Sequence, residues 1–349
     1  MNFTLVIKSN LKYILSIIFL VIILIIITII DLYTGPVKIS ISNILSFLLR
    51  NTLENSDNYL IIKEVRFPRV MTAILSGAAL SISGLQMQTV FRNPLAGPYV
   101  LGISAGASLG VAILIMGAGT IFNFELISKI NNWAIIFSAC IGAGLVLFLI
   151  YAISLRVNDI MTILILGILF GSAISAFVSI LQYFSSATLL KSFVIWTLGS
   201  LNGVSFQQLK ILSIIVFFGL LISILSSKML NVMLLGETYS KSLGLNIKLS
   251  RFVIFTSTSL LAGSITAFCG PIGFIGIAVP HISKMLFKTA NHNLLIPSSI
   301  LIGAILMVLS DMLSQITGYE KVLPINSVTA LLGIPIVIWI ILKNFKLSR

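Results

Sequence analysis

The segment from residue 66 to residue 110 constrains the fold of this chain more than any other. Residues 70–91 carry no charge, and about 20 apolar residues are enough for a helix to cross a lipid bilayer. Pro94 ends this helix, because proline has no backbone N–H to continue the hydrogen-bond ladder. A second apolar stretch begins after Pro98. The sequence therefore predicts two membrane helices joined by a short, ordered turn.

Small residues recur at every fourth position along both predicted helices. They are Ala73, Gly77 and Ser81 on the first, and Gly102, Gly106 and Gly110 on the second. Residues four apart share one face of a helix, and small side chains on that face let membrane helices approach each other closely. We therefore expect both faces to pack against neighbouring helices.

The composition indicates an all-α protein that crosses the membrane many times. Of its 349 residues, 58% are hydrophobic and 9% are charged, whereas soluble domains carry about 25% charged residues. A soluble fold would lack the polar residues to cover its surface. Cys140 and Cys269 lie in apolar stretches and form no metal or redox motif.

Ten membrane spans account for the hydropathy of the chain, which we expect to form a single transmembrane domain, residues 1–349. The predicted spans are 13–32, 68–91, 99–118, 133–155, 160–183, 207–227, 252–269, 273–287, 294–317 and 325–342. Residues 39–49 have the pattern of a short amphipathic surface helix. Residues 190–203 are too polar and too few for a span, and predict a short re-entrant or outer helix that ends at Gly199 or Gly203.

The net charge of +13 fits either nucleic-acid binding or the positive-inside rule of membrane proteins. With ten spans, most of the Lys and Arg residues fall on the side of the two termini. That side holds only two acidic residues, Asp159 and Glu237. The asymmetry favours the positive-inside explanation, so we expect cytoplasmic termini and no nucleic-acid partner.

The uncharged stretch 252–280 is interrupted at Gly270-Pro271-Ile272-Gly273. It is too long for one span and short for two, so a break within the membrane is predicted. Non-helical backbone at that depth is tolerated only where protein or a water-filled cavity covers it. The start of the following half-helix, near Gly276, would suit a translocation path, and its positive dipole end would favour an anion.

Two long runs of residues resemble a known family. The first is RFPRV at 66–70, followed by SGAALSISGLQMQTVFRNPLAGPYVLGISAGASLG at 76–110, and the second is LAGSITAFCGPIGFIGIAVPHISKMLF at 261–287. Both resemble FecCD-type permeases of bacterial ABC importers for iron-siderophore complexes, haem and cobalamin (vitamin B12). The resemblance covers residues 60–342, and the first 60 residues fit by hydropathy only.

The resemblance implies a type II ABC importer permease in the bacterial cytoplasmic membrane. Such a permease works as a homodimer embedded in membrane lipid, with two ATP-binding ABC subunits below it and one extracytoplasmic substrate-binding protein above it. The chain itself is then not an enzyme and carries no cofactor, since ATP is hydrolysed by the partner subunits. The cargo is an iron chelate, haem or cobalamin.

The resemblance also suggests roles for individual residues. Arg66 and Arg69 stand where the binding protein docks, and the segment 228–251 resembles the coupling helices that contact the ATPase. Within that segment we single out Gly236, Glu237, Lys241, Ser242, Leu243 and Gly244. As residues of the translocation path or its gate we single out Asn93, Pro94, Leu95, Trp196, Gly199, Gly270, Pro271, Gly273 and Gly276.

The chain departs from the family near Gln315, where many members carry a further arginine that resembles another docking contact, although Lys321 could substitute for it. An ion-coupled secondary transporter is the alternative function, and it would need a buried acid or base. Asp311 and His281 are the candidates. Asp311 could be solvated at the membrane interface or buried, and a lone His such as His281 is more often structural. Signature motifs of an intramembrane enzyme are not found in the sequence.

Overall fold

The computed structural model describes residues 3–35, 37, 39–49, 57–117, 132–157, 159–315 and 322–347. All regular secondary structure within these ranges is helical. The helices are α1 (Phe3–Tyr33), α2 (Ile41–Leu49), α3 (Asp57–Ile61), α4 (Phe67–Val90), α5 (Ile103–Ala112), α6 (Asn132–Ser154), α7 (Ile160–Phe184), α8 (Ala187–Thr197), α9 (Phe206–Leu225), α10 (Ser227–Met233), α11 (Glu237–Ser242), α12 (Ile247–Thr258), α13 (Ser264–Cys269), α14 (Ile275–Phe287), α15 (His292–Gln315) and α16 (Ile325–Leu347).

Each of the ten predicted spans coincides with a helix. Seven helices in the described part of the chain are long and apolar enough to cross a bilayer. The other three predicted spans coincide with the apolar helix Ile103–Gly117, with α14 and with α16. The predicted surface helix is α2, and the predicted short helix before α9 is α8. The all-α membrane fold is therefore confirmed.

The helix that contains α4 begins earlier than the sequence predicted. The prediction started it at Pro68, but helical backbone runs without a break from Asp57 to Val90. A proline normally cannot sit inside a helix, because its ring clashes with the carbonyl group four residues earlier. Here that carbonyl belongs to Glu64, which lies in the π-helical turn Ile62–Arg66. The wider turn lets the helix continue through Pro68.

Helix α4 lies at the centre of the molecule. Twenty of its 24 residues are buried, and it packs on α15, α14, α9 and α12. A Cβ atom at Gly84 would overlap the carbonyl oxygen of Gly276 in α14, and one at Gly77 would overlap that of Gly303 in α15. The backbones therefore touch at these crossings. The prediction that this helix carries a close-packing face is confirmed.

A second close packing joins α5 to α6. A Cβ atom at Gly106 would lie 2.5 Å from the carbonyl oxygen of Gly142, and one at Gly110 would overlap the carbonyl oxygen of Ser138. The small residues of α5 therefore hold α6 against it, as the four-residue spacing predicted. These contacts leave the opposite side of α5 free to meet α7.

One buried side chain ties α4 to two other helices. The amide nitrogen of Gln86 donates to the hydroxyl oxygens of Ser223 (3.0 Å) and Ser257 (3.1 Å), and its carbonyl oxygen accepts from Thr258 (2.9 Å). These residues lie on α4, α9 and α12. A buried amide is tolerated inside a membrane protein when its donors and acceptor are satisfied in this way.

The outer helices expose many large apolar side chains, as lipid-facing helices do. Phe148 of α6 and Phe217 of α9 are among them. Helix α7 starts at Asp159, whose carboxylate accepts hydrogen bonds from the backbone N–H of Thr162 (2.9 Å) and from its hydroxyl (2.6 Å). These bonds hold the pKa of the Asp159 carboxyl below its usual range.

Candidate functional site

A buried ion pair joins α4 to α15 near the end that the sequence places outside the cell. The guanidinium of Arg69 contacts the carboxylate of Asp311 through Nε (2.8 Å to Oδ2) and Nη2 (2.8 Å to Oδ1). Asp311 is 1% exposed and Arg69 9%. The structure thus decides between the two interpretations of Asp311: it is a buried partner and not a solvated interfacial acid.

Arg66 is buried as well and closes the end of α1. Its guanidinium donates to the carbonyl oxygens of Leu32 (2.7 Å), Tyr33 (3.1 Å) and Val37. Gln315 donates to Asp31 of α1 (3.1 Å) and, more weakly, to Asp311 (3.4 Å). Near the place where the resemblance implied a further arginine, the chain thus has a neutral donor shared by two acids. Lys321 lies outside the described residues.

A docking surface made of Arg66 and Arg69 implies accessible guanidinium groups, and the structure buries both. Arg69 nevertheless lines a cavity of about 240 Å³. Asp311, the residues 198–202 that follow α8, and residues 322–325 complete its wall. The role of these arginines in docking stays a prediction.

The predicted break at Gly270 is present and packs against the end of α8. Gly270 and Gly199 both have positive φ (+76° and +73°), and the Ser200 N–H donates to the carbonyl oxygen of Cys269 (2.8 Å). A Cβ atom on Gly270 would lie 2.5 Å from the carbonyl oxygen of Trp196. The structure therefore brings together Trp196, Gly199, Gly270 and Pro271, which the sequence assigned to one path.

The backbone N–H groups before α14 already have partners within the chain. The Ile272 N–H donates to the hydroxyl oxygen of Tyr99 (3.2 Å), and the Gly273 N–H donates to the side chain of Asn326 (2.9 Å). Gly276 lies one turn further on, against Leu80 and Pro98. In this conformation the half-helix start is held by neighbouring side chains, and an anion would have to displace them.

The sequence analysis missed a polar groove between α5 and α7. This cavity has a volume of about 760 Å³, and several of its α7 residues, including Ser172, Ser175 and Ser179, are exposed. Its polar wall includes Ser104, Ser108, Ser172, Ser175, Ser179 and Gln182. A lipid-facing helix has no reason to carry such a stripe. Polar residues three and four apart on α7 were the signal in the sequence that could have revealed it.

The turn after α4, proposed as a gate, is anchored to α14. The side chain of Asn93 accepts a hydrogen bond from the Leu95 N–H (2.9 Å), which closes the turn. Nε2 of His281 donates to the carbonyl oxygen of Pro94 (2.8 Å). Pro94 and Leu95 are exposed. His281 therefore has a structural partner at the point where the predicted gate meets α14.

The segment 228–251 forms short helices that end at glycines, as predicted. Gly236 (φ +106°) separates α10 from α11, and Gly244 (φ +82°) ends α11. After α11 the Leu245 N–H donates to the carbonyl oxygen of Ser240 (2.9 Å), which makes a Schellman cap. Because the cap satisfies the last carbonyl groups, α11 can remain a rigid element at the surface.

The predicted coupling residues have two kinds of environment. Glu237 pairs with the buried Arg251 of α12 (2.5 Å), so it ties α11 to the transmembrane part. Lys241, Ser242, Leu243 and Gly244 are exposed. Leu234, Leu235 and Tyr239 are exposed apolar neighbours of these residues. Together they form a surface that we call the coupling face, defined as Leu234, Leu235, Tyr239, Lys241, Ser242, Leu243 and Gly244.

Two contacts connect the coupling segment to the inner end of α4. Asn231 of α10 accepts hydrogen bonds from the backbone N–H (2.8 Å) and Nδ1 (2.9 Å) of His292, whose Nε2 lies 2.8 Å from the Thr89 hydroxyl oxygen. Arg92, which follows α4 and has a positive φ of 48°, donates weakly to the carbonyl oxygen of Met233 (3.4 Å). These contacts link the segment 228–251 to the end of α4 and to the residue that follows it.

The family model described as the FecCD transport family matches residues 23–343. The chain belongs to this family. Its FecCD relatives include the vitamin B12 import system permease protein BtuC of Salmonella typhi, 33% identical over 97% of both chains. The protein of the same description from Citrobacter koseri is 34% identical over 82% of this chain and 84% of its own.

A solved structure agrees with this assignment. It is described as an inward-facing conformation of a metal-chelate type ABC transporter and matches with a TM-score of 0.80 and 29% identity. The match covers 94% of this chain and 99% of that one. This FecCD protein is therefore a multi-pass permease of a bacterial ABC importer of the metal-chelate and vitamin B12 type, located in the inner membrane.

Proposed function

We propose that this permease moves an iron-siderophore complex, haem or cobalamin across the cytoplasmic membrane. The groove between α5 and α7 is the observation that carries the proposal. It is wide enough for part of a large chelate, and its wall is polar at a depth where the surrounding helices are apolar. The relatives named for vitamin B12 import support a cargo of this size.

The groove is half of a path, and a second copy of the chain supplies the other half. Helix α7 is long and apolar enough to cross a bilayer, yet only 17% of the residues in its most apolar 18-residue stretch are buried within one chain. A two-fold axis beside α7 would place an identical wall opposite the first. Homodimers with closed symmetry are the commonest oligomers of this kind. We therefore propose a homodimer with the cargo path at its interface.

The coupling face is proposed to bind the ATP-binding ABC subunit. Tyr239 and Leu243 are 70% and 64% exposed. They project from a segment that an ion pair ties to α12 and a hydrogen bond ties to α15. Clustered aromatic and aliphatic side chains of this kind are typical energetic centres of protein interfaces. ATP hydrolysis belongs to that partner.

Removing two anchors of the coupling face should detach the ATPase. The double variant Tyr239→Ala/Leu243→Ala is expected to lower affinity for the ATPase by about 100-fold or more, since interface anchors each contribute about 2 kcal/mol. The measurement is the amount of ATPase that copurifies in mild detergent. The control is Leu331→Ala, which truncates an equally exposed side chain of α16. Equal copurification of both variants would contradict the assignment.

The turn at Asn93, Pro94 and Leu95 is proposed as the inner gate, with His281 as its anchor. His281→Ala removes a hydrogen bond to the turn that contributes about 1 kcal/mol. We expect cargo import to fall about fivefold while ATPase binding is unchanged. His281→Gln, which keeps a donor, is the control and should restore most import. If ATP hydrolysis and import fell together in both variants, the anchor role would be wrong.

Arg69 is proposed to meet the extracytoplasmic binding protein through the cavity that it lines, with Arg66 holding the end of α1 beside it. Arginine suits this role because it can pair with a carboxylate of the partner while it keeps a second contact. Cytoplasmic termini remain part of the proposal, on the strength of the charge asymmetry.

Purification of the chain from its own membranes in mild detergent, followed by mass spectrometry, tests the proposal as a whole. An equimolar ABC ATPase is the expected result. Absence of an ATPase at every detergent strength would favour the ion-coupled carrier. The contacts already described count against that alternative, because Asp311 is paired with Arg69 and His281 with a backbone carbonyl.

A further inference from the structure

The chemistry of the groove between α5 and α7 limits what can pass along it. None of the described residues that line it carries a charge. In a two-fold symmetric dimer the opposite wall is the same surface, so the partner brings no charge from these residues either. This argument rests on the proposed function, because it takes the groove as the cargo path.

The hydroxyl protons of α7 are already used by its own backbone. Ser172 donates to the carbonyl oxygen of Ile168 (3.0 Å), Ser175 to that of Gly171 (2.9 Å), and Ser179 to that of Ser175 (2.9 Å). A serine hydroxyl has one proton and two lone pairs. Once the proton is donated to the preceding turn, the oxygen presents lone pairs to the groove. These three serines therefore present uncharged hydrogen-bond acceptors to the groove, beside the Gln182 amide, which can both donate and accept.

We propose that the cargo of this importer is an uncharged chelate with N–H donors at its rim, such as one fringed by primary amides. Amide N–H groups can donate to the serine oxygens as the cargo loses water. A carboxylate-fringed or polyanionic chelate would bring acceptors against acceptors, with no cation in the described wall to replace its hydration. Haem carries two carboxylates and a ferric tricatecholate three negative charges, so both fit the wall poorly.

The test uses the complete importer, with its own ATPase and binding protein, in proteoliposomes loaded with ATP. The probes are cyanocobalamin, which has no net charge and is fringed by amides, haem and ferric enterobactin. We expect cyanocobalamin to enter at least about tenfold faster than the other two. Equal or faster entry of haem or ferric enterobactin would overturn the inference. ATP hydrolysis with entry of none of the three would overturn it too, while the permease assignment stands.

If the chain is not an ABC importer permease, no ATPase will assemble with it, and the transport assay will not be reached. The inference about the cargo would then be wrong as well. A second measurement examines the groove directly in the assembled importer. Ser175→Lys and Ser175→Asp place opposite charges on the wall, and Ser192→Lys is the control. Ser192 makes the same type of backbone hydrogen bond on α8, outside the residues that line the groove.

An uncharged cargo predicts that both Ser175 variants slow import by a similar factor of about ten, because each charge must be desolvated as the cargo passes. Ser192→Lys should import at the normal rate. If Ser175→Lys imported normally or faster while Ser175→Asp was strongly impaired, the cargo would be anionic. The reverse pattern would indicate a cationic cargo. Either asymmetry would show that the inference is wrong.

Discussion

Asp311→Ala is expected to destabilise the protein more than other single side-chain truncations at the outer end. It leaves the Arg69 guanidinium buried without its two carboxylate contacts. Breaking a buried ion pair by removing one partner costs about 3–5 kcal/mol, because the remaining charge is uncompensated. We expect a marked fall in thermal stability in detergent, measured by loss of the monodisperse gel-filtration peak after heating.

The double variant Arg69→Met/Asp311→Leu separates stability from function. Replacing both members of a buried pair with apolar side chains is often neutral, so this variant should recover most of the lost stability. It also removes the guanidinium that is proposed to meet the binding protein. A stable double variant that no longer binds that protein would support the docking role of Arg69, whereas normal binding would remove Arg69 from the docking site. Failure of the double variant to recover stability would contradict the ion-pair explanation.

Gly84→Ala is expected to prevent correct assembly of the transmembrane core. The added methyl group would overlap the backbone carbonyl of Gly276, and neither α4 nor α14 can yield, since both are packed on other helices. Overpacking a rigid site of this kind should cost about 3 kcal/mol or more. The expected result is little or no folded protein in detergent, measured by yield and thermal stability.

Gly144→Ala is the matched control for this prediction. Gly144 also lies within a membrane helix, but a Cβ atom there would meet nothing within 4 Å. The substitution should be neutral or stabilise the protein by about 0.4–1 kcal/mol, because alanine loses less backbone entropy than glycine on folding. Equal behaviour of the two variants would show that the contact between Gly84 and Gly276 does not govern the packing of these helices.

The positions of the helices could be predicted because each depends on a local property of the sequence. Uncharged runs of about 20 residues form spans, and the glycines at 236, 244 and 270 lie at breaks between helices and have positive φ. The start of the continuous helix that contains α4 was predicted wrongly. The rule that proline begins a helix placed the start at Pro68 and could not anticipate the π-helical turn before it. Its wider backbone is visible only in three dimensions.

The surroundings of the candidate site residues could not be predicted in the same way. Arg66 and Arg69 looked like surface cations, yet their partners, Leu32 and Asp311, are respectively 34 and 242 residues away in sequence. The sequence shows that this chain has no arginine near Gln315, but it could not show the two acidic acceptors of Gln315. Partners so distant in the chain meet only after the helices have packed.

The sequence by itself determined that this chain is an all-helical membrane protein, where its helices run, and to which family it belongs. Those features follow from hydropathy, helix-ending residues and two long motifs. Tertiary structure alone decided that Arg66 and Arg69 are buried, that His281 bonds to the carbonyl group of Pro94, and that α5 and α7 form a groove whose described lining carries no charge. The reason is physical: hydropathy acts within one helix, whereas burial, ion pairing and cavity shape depend on which helix faces become neighbours.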